Sequence, residues 1–270
     1  MCVISLGINS PSPPGHPKIS IQDYSGGITR MKEDLIKFNF QGDFIAWIQH
    51  YPENSPPHEE SPWGFKPFCF QEAHRLGYQY ILWLDASIRI KQPLEPLFEL
   101  ISKDGYLMFQ ESHSVGEYCK DEALETLKIT REESFELPCC RSGVLGLNLS
   151  DLKSGDFLQQ WKEKATDGIT FPGPKWSGVR GWPKVASQDP RVKGHRHDQT
   201  AASVIALRLG MNQWKSADCF QKFFSNERET IRVFQDYEEY VGDDRLQQLR
   251  RSGKHRIRLI TTLFRGYLNR

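Results

Sequence analysis

The sequence predicts an α/β fold: a mainly parallel, twisted sheet flanked by helices, formed by a single domain over residues 1–249 and followed by a basic amphipathic tail at 250–270. Three observations predict it. Short apolar runs recur at residues 2–8, 43–48 and 78–84, and segments of helical spacing separate them. The run at 78–84 is apolar or aromatic on both faces apart from Gln79, the pattern of a strand buried at the middle of a sheet. A chain of 270 residues with 38% hydrophobic and 12% aromatic residues can bury a core of this size.

In chain order, the first apolar run ends at Asn9 and a Pro-rich stretch at 10–17, as a buried strand entering an irregular loop would. Ile28, Met31, Leu35 and Phe38 then fall at helical spacings of three and four. Pro52, Pro56, Pro57 and Pro62 make 51–63 a surface loop. Residues 65–76 read as a helix stopped by Gly77. Beyond the central strand, 94–101 is helical and 106–109 and 144–149 are extended. Ser150 or Asp151 is placed to cap a helix running to about Ala165. Residues 170–194 carry four prolines and glycines before Gly181 and three after it, with Trp176 and Trp182, and form a long loop of the functional kind. A buried helix over 201–209 ends at Gly210.

Composition narrows the function classes. Lys plus Arg number 35 against 34 Asp plus Glu, so the net charge of +1 gives no reason to expect a nucleic-acid partner. Six cysteines without a CxxC pair suggest a reducing compartment. The apolar run at the amino terminus lacks a basic leader and is too short to span a membrane, so a cytoplasmic placement is expected. The tail has seven Lys or Arg among apolar residues and no acid, which suits either peripheral contact with an anionic membrane or a terminal helix packed on the domain. There is no Walker A loop, GxSxG elbow or HExxH helix.

Two places carry chemistry. Asp85 follows the central strand directly and therefore stands at the carboxyl edge of the sheet, where open α/β folds place ligands; the alternative is that it caps the turn before Ile88. Residues 194–200, Gly-His-Arg-His-Asp-Gln-Thr, leave the long loop and enter the buried helix, with Asp198 at or near its N-cap. Their density of polar groups exceeds what one cap requires, which points to a catalytic role for Asp198 with Gln199 and His197.

The run Tyr80-Ile-Leu-Trp-Leu-Asp-Ala-Ser-Ile88, the Phe65-Lys-Pro67 helix start, Gly143-Val-Leu-Gly-Leu-Asn148 and His197-Asp-Gln199 resemble the DxD region and following core of GT-A-fold (Rossmann-like) nucleotide-sugar glycosyltransferases. The resemblance covers residues 2 to about 210 and implies transfer of a sugar, in the manner of a hexosyltransferase, from a nucleotide-sugar donor to a hydroxyl of a glycan or lipid-linked acceptor. It implies that Asp85 and Ser87 face the donor, that Asp198 acts on the acceptor, and that Trp176 and Trp182 stack on a sugar or close over the donor. The chain departs from the family pattern at Asp85-Ala86-Ser87, where a hydroxyl replaces the second carboxylate. A neutral oxygen is the poorer ligand for Mn²⁺ or Mg²⁺, so metal-independent catalysis is also open, with Lys66, Arg89 and Arg196 as candidates to bear the diphosphate. If a metal is held, Asp85 is its ligand, and the resemblance offers His255 as a late one. The competing readings are a metal-assisted phosphoester hydrolase or nucleotidyltransferase using Asp85, His195, His197 and Asp198, and a catalytically inactive sugar-nucleotide-binding protein.

Overall fold

The computed structural model describes residues 1–9, 24–178, 184–215 and 220–226. The tail at 250–270, with His255, and Trp182 lie outside the described residues. In order, the chain forms β1 (Cys2–Gly7), α1 (Tyr24–Lys37), β2 (Asp43–Ile48), α2 (Lys66–Arg75), β3 (Tyr80–Leu84), β4 (Ile88–Ile90), α3 (Glu95–Asp104) and β5 (Tyr106–Ser114). A 3₁₀ turn at Gly116–Tyr118 leads to α4 (Asp121–Leu127), α5 (Arg131–Glu136), β6 (Pro138–Asn148), α6 (Leu152–Thr166) and α7 (His197–Arg208). Three short pieces follow: β7 (Trp214–Lys215), α8 (Phe220–Phe223) and β8 (Phe224–Asn226).

The main sheet has the order β2-β1-β3-β6-β5-β7. β1 is parallel to β2 and β3, β5 is parallel to β7, and β6 is antiparallel to both β3 and β5. Every strand but β6 therefore runs in one direction, and the sheet is mainly parallel as expected. A separate antiparallel pair joins β4 to β8. Between β5 and β6 the register shifts twice, before and after Gln110, which bends the ladder where it passes the end of β3.

Alternation along β3 divides the core. Ile81 and Trp83 enter one apolar cluster with Phe68, Phe70, Trp161 and Val204, from α2, α6 and α7. Leu82 and Leu84 enter the other with Met31, Leu35, Leu97 and Ile101, from α1 and α3. Both faces are thus covered by helices, the reason β3 lacks a polar face. Asp151 caps α6 by accepting from the Ser154 N–H. Asp198 stands near the N-cap of α7 but is not the cap: the helix begins at His197 with Arg196 in the cap position, and no side chain caps it.

Chain order in the sheet reverses beside β1. β2 lies on one side of β1 and β3 on the other, so the carboxyl ends of β1 and β3 flank a topological switch point, the usual place for a ligand crevice in a sheet of this kind. α1 approaches this point closely, because a Cβ on Gly27 would stand 2.3 Å from the Ala86 carbonyl oxygen. Among the described residues no helix is long and apolar enough to cross a membrane.

Candidate active site

The site is assembled where β3 ends. The Asp85 N–H donates to the Gly143 carbonyl on β6 (2.9 Å), and the Asp85 carbonyl accepts from the Ile88 N–H (2.8 Å). The backbone of Asp85 therefore makes the turn, and its side chain is directed elsewhere. Its Oδ1 accepts from the Trp83 indole N–H at 2.8 Å and lies 3.2 Å from Lys66 Nζ. Gly143 leaves room for the other oxygen, since a Cβ there would approach Asp85 Oδ2 to 3.1 Å.

Lys66 is the first residue of α2, with Pro67 behind it to favour a helix start. Its side chain, 1% exposed, meets Asp198 Oδ2 at 2.8 Å as well as Asp85. Nζ also donates to the carbonyl and the hydroxyl of Ser142, at 3.0 and 3.1 Å, and lies 5.5 Å from the Trp83 ring centre. One buried ammonium thus joins two carboxylates that are far apart in sequence. The contact with Asp198 is a close ion pair. Burial lowers the proton affinity of Lys66, but Asp198 and Asp85 outweigh it and the net direction is upward. Burial raises the Asp198 carboxyl above the usual aspartate value, opposed by Lys66.

Asp198 occupies the first turn of α7, where a carboxylate suits the helix dipole. The Trp161 indole N–H donates to its carbonyl (3.1 Å) and ties the helix start to α6. With its side chain 4% exposed, the Asp198 carboxylate is enclosed and not open to an incoming hydroxyl. Gln199 lies beside it and bonds Glu111 of β5. Glu111 is also ion-paired with Arg141 of β6 at 2.7 Å.

The structure places the remaining sequence candidates as follows. Ser87 is buried. Arg89 makes a bidentate pair with Asp34 of α1, both contacts 2.7 Å, so its guanidinium is engaged on the α1 side of the sheet. Arg196 is sandwiched between the rings of Tyr118 and Trp176, at 4.2 and 4.4 Å. His197 is buried, stacks on Trp63 at 5.1 Å, and donates from Nδ1 to the Phe171 carbonyl at 2.8 Å. His195 accepts at Nδ1 from the Lys120 N–H (3.4 Å) and so donates from Nε2 to the Thr170 carbonyl (2.8 Å). Burial pushes His195 down to about 3 and His197 well below the ordinary histidine value, so both rings are neutral. They pin the start of the long loop to α7, which corrects the expectation of imidazoles available for proton transfer.

Among the described residues the donors do not suit a resident divalent cation. Asp85 Oδ1 already faces the Lys66 ammonium, Ser87 is enclosed, and among the described residues no group of three or more His, Cys, Asp or Glu side chains gathers around one point. Sequence reasoning missed Glu111, Arg141 and Ser142. Each lies in a segment whose strand pairing is not local, and an isolated Glu or Arg carries no motif.

No family model matches the chain, and no curated protein does. Among solved structures it is similar to a glycosyltransferase involved in glycosylation of the major capsid of PBCV-1, at 11% identity and TM-score 0.37, over 62% of this chain and 67% of that one. It is similar to mouse xyloside xylosyltransferase 1 at 11% identity and TM-score 0.40, over 80% and 84% of the two chains. A third likeness is to the galactosyltransferase LgtC in complex with donor and acceptor sugar analogs, at 10% identity and TM-score 0.31, over 60% of each chain. Likenesses of this degree concern the backbone and carry no residue roles across.

Proposed function

We propose that this protein is a glycosyltransferase that moves a sugar from a nucleotide-sugar donor to a hydroxyl of a glycan or lipid-linked acceptor. The observation that carries this reading is the Asp85–Lys66–Asp198 bridge at the carboxyl end of β3, beside the switch point of the sheet. Carboxylates whose charge is offset by a fixed ammonium accept hydrogen bonds from hydroxyls without gathering excess negative charge, which suits a polyhydroxyl ligand joined to a diphosphate. Asp85, 21% exposed, is the member of the bridge that reaches a donor. Asp198 and Lys66 hold it in place and set the local charge.

The chemistry of the other groups supports the reading by removing rivals. Cys69, Cys119, Cys139 and Cys140 are buried with their thiols pushed up, so no thiolate nucleophile is available there. The two histidines on which a phosphoesterase would depend are neutral and engaged with backbone carbonyls. Catalysis on this reading is metal-independent, with Lys66 standing where a cation's charge is needed. The described cysteines are free, which goes with a reducing, cytoplasmic setting.

The test is a thermal-shift and turnover screen with nucleotide sugars, run with EDTA and with Mn²⁺. Stabilisation by a nucleotide sugar and release of nucleoside diphosphate in EDTA are expected. Cleavage of simple phosphate esters with no response to nucleotide sugars would overturn the reading, and binding without turnover would leave a sugar-nucleotide-binding protein.

A further inference from the structure

Asp198 is enclosed, so a hydroxyl arriving at the Asp85 edge needs another proton acceptor. Glu111 is the carboxylate placed for it. It stands on β5 beside Gln110, at the shift in register between β5 and β6, in the stretch of that ladder that runs on past the end of the β3–β6 pairing at Val144. Its side chain is 18% exposed, against 4% for Asp198. Gln199, adjacent in sequence to Asp198, and Arg141, adjacent to the Ser142 that holds Lys66, both bond it. Its neighbour Gln110 pairs across the sheet with Cys140, two residues before the Ser142 whose hydroxyl and carbonyl hold Lys66.

Resting on the glycosyl-transfer reading, we infer that Glu111 is the catalytic residue that meets the acceptor hydroxyl, oriented by Arg141 and Gln199. The acceptor O–H gives its proton to a Glu111 carboxylate oxygen as the acceptor oxygen bonds to the anomeric carbon. The bond from that carbon to the diphosphate oxygen breaks, and its electron pair leaves with the nucleoside diphosphate. The charged or titratable groups facing Glu111 are Arg141 from β6, Arg196 ahead of α7, and the Cys139 and Cys140 thiols of β6. Burial raises the Glu111 carboxyl above the ordinary glutamate value, opposed by Arg141 and Arg196. A carboxylate with raised proton affinity that still opens to solvent is a better base than an ordinary one. Two buried nitrogens without partners, Arg141 Nε and His113 Nε2, lie on the same two strands and mark this corner as built for further polar contacts.

The test needs no knowledge of the acceptor, because water can take its place. UDP-glucose, UDP-galactose, UDP-xylose and GDP-mannose are each incubated with the full chain, nucleoside diphosphate release is followed against pH, and donor affinity is measured by calorimetry. Glu111→Gln is expected to lower release by about a hundredfold or more with donor Kd changed less than about twofold. The acidic limb of the rate profile should vanish in Glu111→Gln, persist at lower rate in Glu111→Asp, and move to higher pH in Arg141→Gln. Wild-type rates in Glu111→Gln, loss of donor affinity in step with rate, or an unmoved limb in Arg141→Gln overturns the assignment. If Glu111→Gln does not fold, Glu111→Asp and Arg141→Gln decide by the position of the limb. Donor binding by the wild type without any release also overturns it. A wild type that neither binds nor cleaves any of the four donors sinks the glycosyl-transfer reading itself, whereas normal release with an unchanged Glu111→Gln sinks only the role of Glu111.

Discussion

Lys66 Nζ lies 2.8 Å from Asp198 Oδ2, a contact between side chains 1% and 4% exposed, and this pair joins the start of α2 to the first turn of α7. Removing one member leaves a buried charge without its partner. Lys66→Met is expected to cost about 3–5 kcal/mol of folding stability. The double variant Lys66→Met/Asp198→Leu should recover much of that loss, since two apolar groups replace the pair. Urea denaturation of the three proteins checks it, and equal instability of the single and double variants would show that the pair is not the cause.

Asp85→Asn keeps the shape of the side chain and its acceptance from the Trp83 indole but removes a charge from the bridge. Donor affinity or turnover is expected to fall at least about tenfold while the fold is kept. Calorimetry with the best donor from the screen measures the first and diphosphate release the second; no change in either would take Asp85 out of the donor site.

Gly27 is required by contact with the turn that carries Asp85. A Cβ there would stand 2.3 Å from the Ala86 carbonyl oxygen, a backbone atom that cannot rotate away. Gly27→Ala is expected to destabilise the protein by roughly 1–3 kcal/mol and to weaken donor binding beyond that of a surface variant of equal stability. Thermal melting with and without donor separates the two effects.

Acid should weaken the fold through its buried histidines. Burial lowers His58 to about 4 and His195 to about 3, both from an ordinary value of 6.5, and His197 moves in the same direction. Between those values and 6.5 the unfolded chain binds protons that the folded chain does not, so stability falls as pH drops below about 6.5 and levels off only under the folded values. The slope contributed by each ring approaches about 1.4 kcal/mol per pH unit. Denaturation midpoints from pH 7 to 4 should shift downward, and less so in His195→Asn than in the wild type relative to their own values at pH 7. A slope unchanged in that variant would remove His195 from the account.

The sequence by itself determined the first three strands of the main sheet, its longer helices and the edge on which Asp85 stands, because those depend on periodicity and on stop residues close in the chain. Residues 78–84 read as a central strand from their apolarity alone, and β3 with both faces covered is the outcome. Gly77 and Gly210 marked ends of helices, and both adopt positive φ. The pairing of the two sequence candidates Asp85 and Asp198 was decided only by the tertiary structure, which brings them together through Lys66, 19 and 132 positions away from them along the chain. The extent of β6 was likewise decided by its antiparallel pairing with β3 and β5, which no local pattern encodes. The histidines show the same division. Their types in a polar run suggested proton transfer, but the backbone carbonyls of Thr170 and Phe171 and the burial around them decide their state. Charge and hydrogen-bonding partners are set by which segments meet in space, and desolvation acts on a group only once the core has closed around it.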